Sequence, residues 1–269
     1  MKFSKVLLPI ILSLCITGCS ETTESQTVTE KTPSEIYNEM LSNYNNQKYI
    51  IMECNKVNDS LEVVSTNEAY ADLEKDFYTC IYAEGDEIVY QGKLSQKDLK
   101  EYLYTDYGWL EQDTTTDMRT VFTNFFSFIN PDNLKLADDI PDDSPIDKEN
   151  SYVLESLSQS KDGSYIYYDS IIVDKETMLP RYVSIQTYKK NSEDDTEITT
   201  VTDENGNDLS YTNVILDSTI YLFEFCNEGL DNWDLFTEAN AIPEDNIITQ
   251  EEYNNLAWKV NGNNEQEDN

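Results

Sequence analysis

Histidine is absent from the 269 residues of the chain. Its absence removes Ser-His-Asp and Cys-His catalytic arrangements, imidazole metal ligands and the commonest general base together. Basic residues are scarce too: 18 Lys and Arg face 53 Asp and Glu, a formal charge of −35. Such a surface is repelled by phosphate-rich polymers and by anionic bilayers, so nucleic acid is not an expected partner. Cysteine is limited to positions 15, 19, 54, 80 and 226 with no CxxC spacing, which leaves a redox or zinc motif without support. Carboxylates abound, but none sits in a recognisable catalytic motif. No catalytic residue, metal or cofactor is assigned, and a non-enzymatic binding protein is the expected class. Beyond residue 20 no segment approaches 18 uninterrupted apolar residues, the length that a membrane-spanning helix needs.

The one long apolar run lies at the start. Lys2 and Lys5 form a short basic region, and Val6 to Ile16 are apolar apart from Pro9 and Ser13. That length suits a secretory signal and is short for a span. Ile16-Thr17-Gly18-Cys19 closes it. An aliphatic residue and two small ones before a cysteine resemble the lipobox of bacterial lipoproteins. The resemblance implies removal of residues 1–18, a thioether-linked diacylglycerol on Cys19, and attachment of the protein to the extracytoplasmic face of the cell membrane. Cys15 then leaves with the signal. From Ser20 to Lys31, ten of twelve residues are Ser, Thr, Glu or Gln. Too little apolar surface is present there to offset the entropy of ordering, so residues 19–31 read as the lipidated cysteine and a flexible tether reaching roughly 20 Å. Two lysines leave with the signal, so 53 acids face 16 bases in the mature chain, a charge of −37.

Residues 32–258 read as one α+β domain, with a disordered tail over 259–269. Thr32-Pro33-Ser34-Glu35 is a capping box, and Ile36, Tyr37, Met40, Leu41 and Tyr44 follow on one helical face. Strand-like runs rich in Tyr, Ile, Val and Thr fill 48–57, 61–66, 68–73, 76–83 and 87–91. The middle is expected to be helical. Ser95-Gln96-Lys97-Asp98 reads as a cap for a helix through Leu99, Tyr102 and Leu103, and a second stripe joins Met118, Val121, Phe122, Phe125, Phe126 and Ile129. Strands resume at 151–157, 165–174, 181–189, 196–202, 209–216 and 219–226. Thr249-Gln250-Glu251-Glu252 caps a short last helix reaching Trp258. Cys54, Cys80 and Cys226 lie in strand-like runs; an oxidising compartment permits one disulfide, Cys54–Cys80 being the first candidate, and three buried thiols are the alternative. Asp203, Asn205, Asn207 and Asp208 superficially resemble a calcium loop, but Asp208 stands where the loop glycine belongs and Val214 where a bidentate Glu is needed. An Asn-Gly hairpin turn explains them better.

Helix, meander, helices, meander describes a curved antiparallel sheet, an open half-barrel of about 9–11 strands, with helices packed on one face. Within the second meander, Val173-Asp174-Lys175-Glu176-Thr177-Met178-Leu179-Pro180 followed by a strand is similar to a hairpin of LolA-like proteins, the lipoprotein carriers and lipid-binding lipoproteins of bacterial envelopes. The resemblance covers residues 34–225 in topology and implies an apolar interior closed by helices. Its motif is short, and the strong acidity and large central helical segment depart from the family pattern.

An apolar ligand needs an aromatic-lined concavity with few polar groups. Phe122, Phe125, Phe126 and Ile129, under a sheet bearing Tyr165, Tyr167, Ile171 and Tyr182, are the candidate lining of a site for a lipid or other apolar molecule. The same residues also suit ordinary core packing. An acidic, Tyr-rich interaction or sensory surface for another envelope protein or a cell-wall polymer is the alternative function. The anchor has a direct test: Cys19→Ala should move the protein from the membrane fraction into the medium, as followed by immunoblot, and continued membrane retention would contradict the assignment.

Overall fold

The computed structural model describes residues 31–58, 62–96, 98–137, 147–190, 198–202, 208–226 and 246–264. The signal segment, Cys19 and most of the tether lie outside these residues, as do most of the Asp203–Asp208 loop and the acidic clusters at 138–143 and 193–195. The described strands are, in chain order, β1 (Tyr49–Val57), β2 (Val63–Asp72), β3 (Phe77–Glu84), β4 (Glu87–Ser95), β5 (Lys100–Thr105), β6 (Gly108–Asp113), β7 (Leu134–Leu136), β8 (Ser151–Gln159), β9 (Tyr165–Asp174), β10 (Pro180–Lys190), β11 (Ile198–Thr202), β12 (Asp208–Phe225) and β13 (Ile247–Ile248). They form mostly one large, open antiparallel sheet with few helices. The α-helices are α1 (Pro33–Asn45), α2 (Met118–Thr123) and α3 (Gln250–Asn264). The described residues fall into two compact units, one drawn from Met1–Asn46, Cys54–Val64 and Phe126–Phe223, the other from Gln47–Glu53, Ser65–Phe125 and Glu224–Asn269.

In the first unit, hydrogen-bonded neighbours run β12-β10-β9-β8-β7, with β11 on β12. Helix α1 starts as its sequence dictates. Thr32 Oγ1 accepts from the Glu35 amide, the Glu35 carboxylate accepts from the Thr32 amide at 2.8 Å, and Pro33 occupies the first helical turn, where a missing N–H costs nothing. Ile36, Tyr37, Met40 and Tyr44 are buried along one face. Tyr44 meets Phe126 edge-on at 5.0 Å between centroids and Phe223 of β12 at 6.0 Å, while Phe126 stacks on Phe223 at 5.9 Å. Tyr37 adds a hydroxyl bond to the Phe126 carbonyl at 2.9 Å.

The turn between β9 and β10 holds the other end of that helix. Asp174 accepts from the amides of Glu176 and Thr177 and from the Thr177 hydroxyl, at 3.1, 2.8 and 2.8 Å. Burial pushes the Asp174 carboxyl upward, and the Thr177 bonds and Arg181 outweigh it, leaving the group below its ordinary value. Met178 takes φ 51° so that its amide can return to the Asp174 carbonyl. Asn43 of α1 then donates to the Thr177 carbonyl at 3.1 Å. The Asp–Thr spacing of the motif is thus accounted for by local backbone satisfaction.

In the second unit, β2 to β6 form a meander and β13 runs parallel to β6. Here the sequence-based expectation needs correcting. The segment after Ser95 is a β5–β6 hairpin and not a helix. Leu99 sits at φ 52°, Thr105 Oγ1 bridges the Gly108 carbonyl and the Tyr107 amide, and Gly108 adopts φ 133°. A Cβ at Gly108 would lie 2.6 Å from the Asn246 carbonyl, so only glycine fits this turn. This hairpin, together with the short β7 and β13, carries the strand count past the expected range, although two expected pairs of strands merge into β2 and β12.

The Phe-rich stripe also breaks. Asp117 caps α2 through the Thr120 amide, but the helix ends at Thr123, whose hydroxyl bonds back to the Arg119 carbonyl at 2.9 Å. Three β-branched residues, Thr120, Val121 and Thr123, lower helix propensity there, and Phe125–Phe128 continue as a 3-10 turn. Phe122 stacks on Tyr78 at 5.8 Å, and Arg119 ties Asp76 at 2.7 Å and the Leu73 carbonyl. Helix α3 begins at the expected Thr249–Glu252 box but runs to Asn264, past the expected stop at Trp258. Cys54, Cys80 and Cys226 are free thiols, so the Cys54–Cys80 disulfide does not form.

The aromatic cluster makes a differential prediction. Phe126→Ala should lower the unfolding free energy by about 3–5 kcal/mol, as for buried Phe truncations. Phe128→Ala, at a side chain 45% exposed, should cost under about 1 kcal/mol. Urea denaturation showing equal losses would contradict this packing.

Candidate ligand-binding face

Side chains alternate between faces along a strand, so the registers of β8, β9, β10 and β12 define rows across each face of the first unit. Phe223 lies two residues from Tyr221, which places both on the face that meets α1. In the row next to Phe223, Leu154, Ile171, Val183 and Tyr221 are in register; the first three are fully buried. One pleat further on come Ser156, Asp169, Ile185 and Thr219. Beyond these are Ser158, Tyr167, Thr187 and Asp217. Burial falls off along this series. Ile185, Thr219, Tyr167 and Thr187 are half-buried, and Tyr165 beyond them is 41% exposed.

Asp169 interrupts that gradient. It is only 8% exposed, and among the described residues none gives its carboxylate a hydrogen bond or an ion pair. Its cross-strand neighbours are Ser156 and Ile185, and Tyr167 and Ile171 flank it along β9. Burial alone pushes its pKa from 3.8 to about 6. Cations do stand on this face: Lys56 pairs with Asp217 at 3.5 Å, and Lys189 lies across from Tyr165. Cys54 pairs with Tyr221; burial pushes its thiol up, which makes it a neutral side chain and not a nucleophile. Beyond the sealed row the surface therefore sets Ile185 and Tyr167 among the hydroxyls of Ser156, Ser158, Thr187 and Thr219, with one desolvated acid. Among the described residues, no group of three or more Cys, Asp or Glu is placed to hold a metal ion.

The expected lining residues disperse. Tyr165, Tyr167 and Ile171 share this face, Ile171 beneath the helix row. Tyr182 pairs with Ile172 and Leu222 and points to the opposite face, so it cannot join them; register, which residue spacing does not reveal, decides this. Phe126 and Ile129 are buried in the first unit, Phe126 within the Tyr44–Phe223 cluster. Phe122 and Phe125 belong to the second unit. Sequence inspection missed Asp169, Ile185 and Tyr221. A lone acid inside the run YIYYDSIIVD was the available signal for the first.

No family model matches the chain. No curated protein matches it. Among the solved structures that overlap with it, an uncharacterized conserved protein from Thermus thermophilus shares 10% identity, covers 80% of this chain and 98% of its own, and gives a TM-score of 0.37. The Mycobacterium tuberculosis lipoprotein LppX shares 6% identity, covers 73% and 96%, and gives 0.45.

Asp169 also fixes a pH dependence. The folded protein keeps this proton up to about pH 6, whereas an unfolded chain releases it near 3.8. Between those values the folded state binds more protons, so this group's contribution to stability falls as pH rises. Asp169→Asn should therefore raise the unfolding free energy at pH 7.5 by up to about 3 kcal/mol, at 1.36 kcal/mol per pKa unit. The gain should vanish toward pH 4. A variant that tracks the wild type at every pH would show the carboxyl to be solvated.

Proposed function

We propose that the protein is a membrane-tethered, extracytoplasmic, non-enzymatic binding protein that shelters the apolar chain of an amphiphile on the α1-bearing face of its first unit. The observation that carries this is the graded burial on that face. Side chains are sealed beneath α1, and the adjoining rows leave Ile185, Tyr167 and Thr219 half-covered. The half-covered Ile185 and Tyr167, with the methyl groups of Thr187 and Thr219, offer apolar contact to an alkyl chain. Sheltering roughly 200 Å² of such a chain yields about 5 kcal/mol at 25 cal/mol/Å², before the cost of association. Cys19 would supply the membrane anchor and residues 20–31 the reach. No helix among the described residues is long and apolar enough to cross a membrane.

Organic extraction of natively purified protein followed by mass spectrometry tests this reading. A co-purifying amphiphile is expected with the wild type and should be depleted in Ile185→Trp, whose indole would occupy the half-covered row. Absence of any amphiphile, or equal recovery from both proteins, would contradict it.

A further inference from the structure

We infer that Asp169 is the head-group contact of this site and that the ligand is an amphiphile with a protonated amine at its polar end. The inference rests on the proposed apolar site and adds the chemistry of its ligand. Its ground is the isolation of one acid. Among the described residues, β9 contributes eight other side chains between Tyr165 and Val173, and none carries a charge. Strands β8 and β10 set Ser156 and Ile185 across from Asp169, neither of which neutralises a carboxylate. Of the cations on this face, Lys56 is held by Asp217, and Lys189 stands across from Tyr165, four residues along β10 from the Ile185 that faces Asp169. A buried acid without a partner is costly and is ordinarily removed or paired. Here it lies at the boundary between the sealed row under α1 and the half-covered rows beyond.

A carboxylate in that place accepts hydrogen bonds and donates none. Fatty-acid and phosphate head groups would meet a like charge in a poorly solvated setting and are disfavoured, and a hydroxyl would gain one neutral donor bond. An ammonium supplies three donors and the missing charge, and charge-assisted bonds of this kind are roughly twice as strong as neutral ones. The alkyl tail then extends along Ile185, Thr187 and Tyr167.

The strong net negative charge attracts any amine, so a preference for amines does not by itself test the site. The discriminating experiment is a calorimetric titration of the mature protein and of Asp169→Asn with dodecylamine, dodecanol and dodecanoate. It is run below their micelle concentrations at pH 7.5 and 150 mM salt. Dodecylamine should bind the wild type best and lose about tenfold or more in affinity in Asp169→Asn, as expected when a charge-assisted bond is removed. Dodecanol should change little, and a second variant, Glu176→Gln, which removes an exposed acid of the β9–β10 turn outside the site, should leave dodecylamine unaffected. Equal loss of dodecylamine affinity in both variants, or none in Asp169→Asn, would overturn the head-group assignment while dodecanol binding keeps the apolar site. If none of the three ligands binds, the apolar site fails and the head-group assignment with it.

Discussion

Tyr44, Phe126 and Phe223 pack edge-on and stacked within 6.0 Å of one another, and the first unit is organised around that contact. It seats α1 on one sheet face, and the Asn43–Thr177 bond fixes where along the strands the helix lies. An α-helix is about 10–12 Å wide with its side chains, whereas a strand of ten residues such as β9 runs about 33 Å. One helix laid across the strand ends therefore seals only the rows near Ile171 and Val173. The half-buried rows with Ile185 and Tyr167 follow from that mismatch of dimensions.

Charge behaves differently on the two sides of this boundary. The chain carries 53 acids and a formal charge of −35, and most of the described carboxylates lie on hydrated surface, where they cost little. Turn acids such as Asp174 and Asp162 are drawn below their ordinary pKa by local hydrogen bonds. Asp169 alone among the described acids is lifted to about 6 by burial. A protein that has many places to put an acid and holds one without a partner sacrifices stability there, and such sacrifices concentrate where ligands are bound.

Local chemistry made part of the fold legible. Thr32, Pro33 and Glu35 announce α1, and Ile36, Tyr37, Met40 and Tyr44 name its buried face, because capping and helical spacing act within one turn. The β9 run from Tyr165 to Asp174 is equally local. Leu99, Tyr102 and Leu103 mislead because their spacing fits a helix while Tyr, Leu and Thr also suit a strand, and the tertiary contact at Gly108 decides for the hairpin. The Phe122–Ile129 stripe likewise satisfies helical periodicity but not helical propensity at Thr120, Val121 and Thr123. The placement of Tyr182 and the isolation of Asp169 depend on cross-strand register, and register arises from pairings between segments that no short window contains.

The central claim, that an apolar chain lies on the α1-bearing face beyond the helix, is tested most directly by photo-crosslinking. An alkyl chain carrying a diazirine would be bound, irradiated and its adducts mapped by peptide mass spectrometry. Adducts are expected at Tyr167, Ile185 and Tyr221, which share that face. Adducts confined to Tyr182, Tyr188 and Leu222 on the opposite face would contradict the claim.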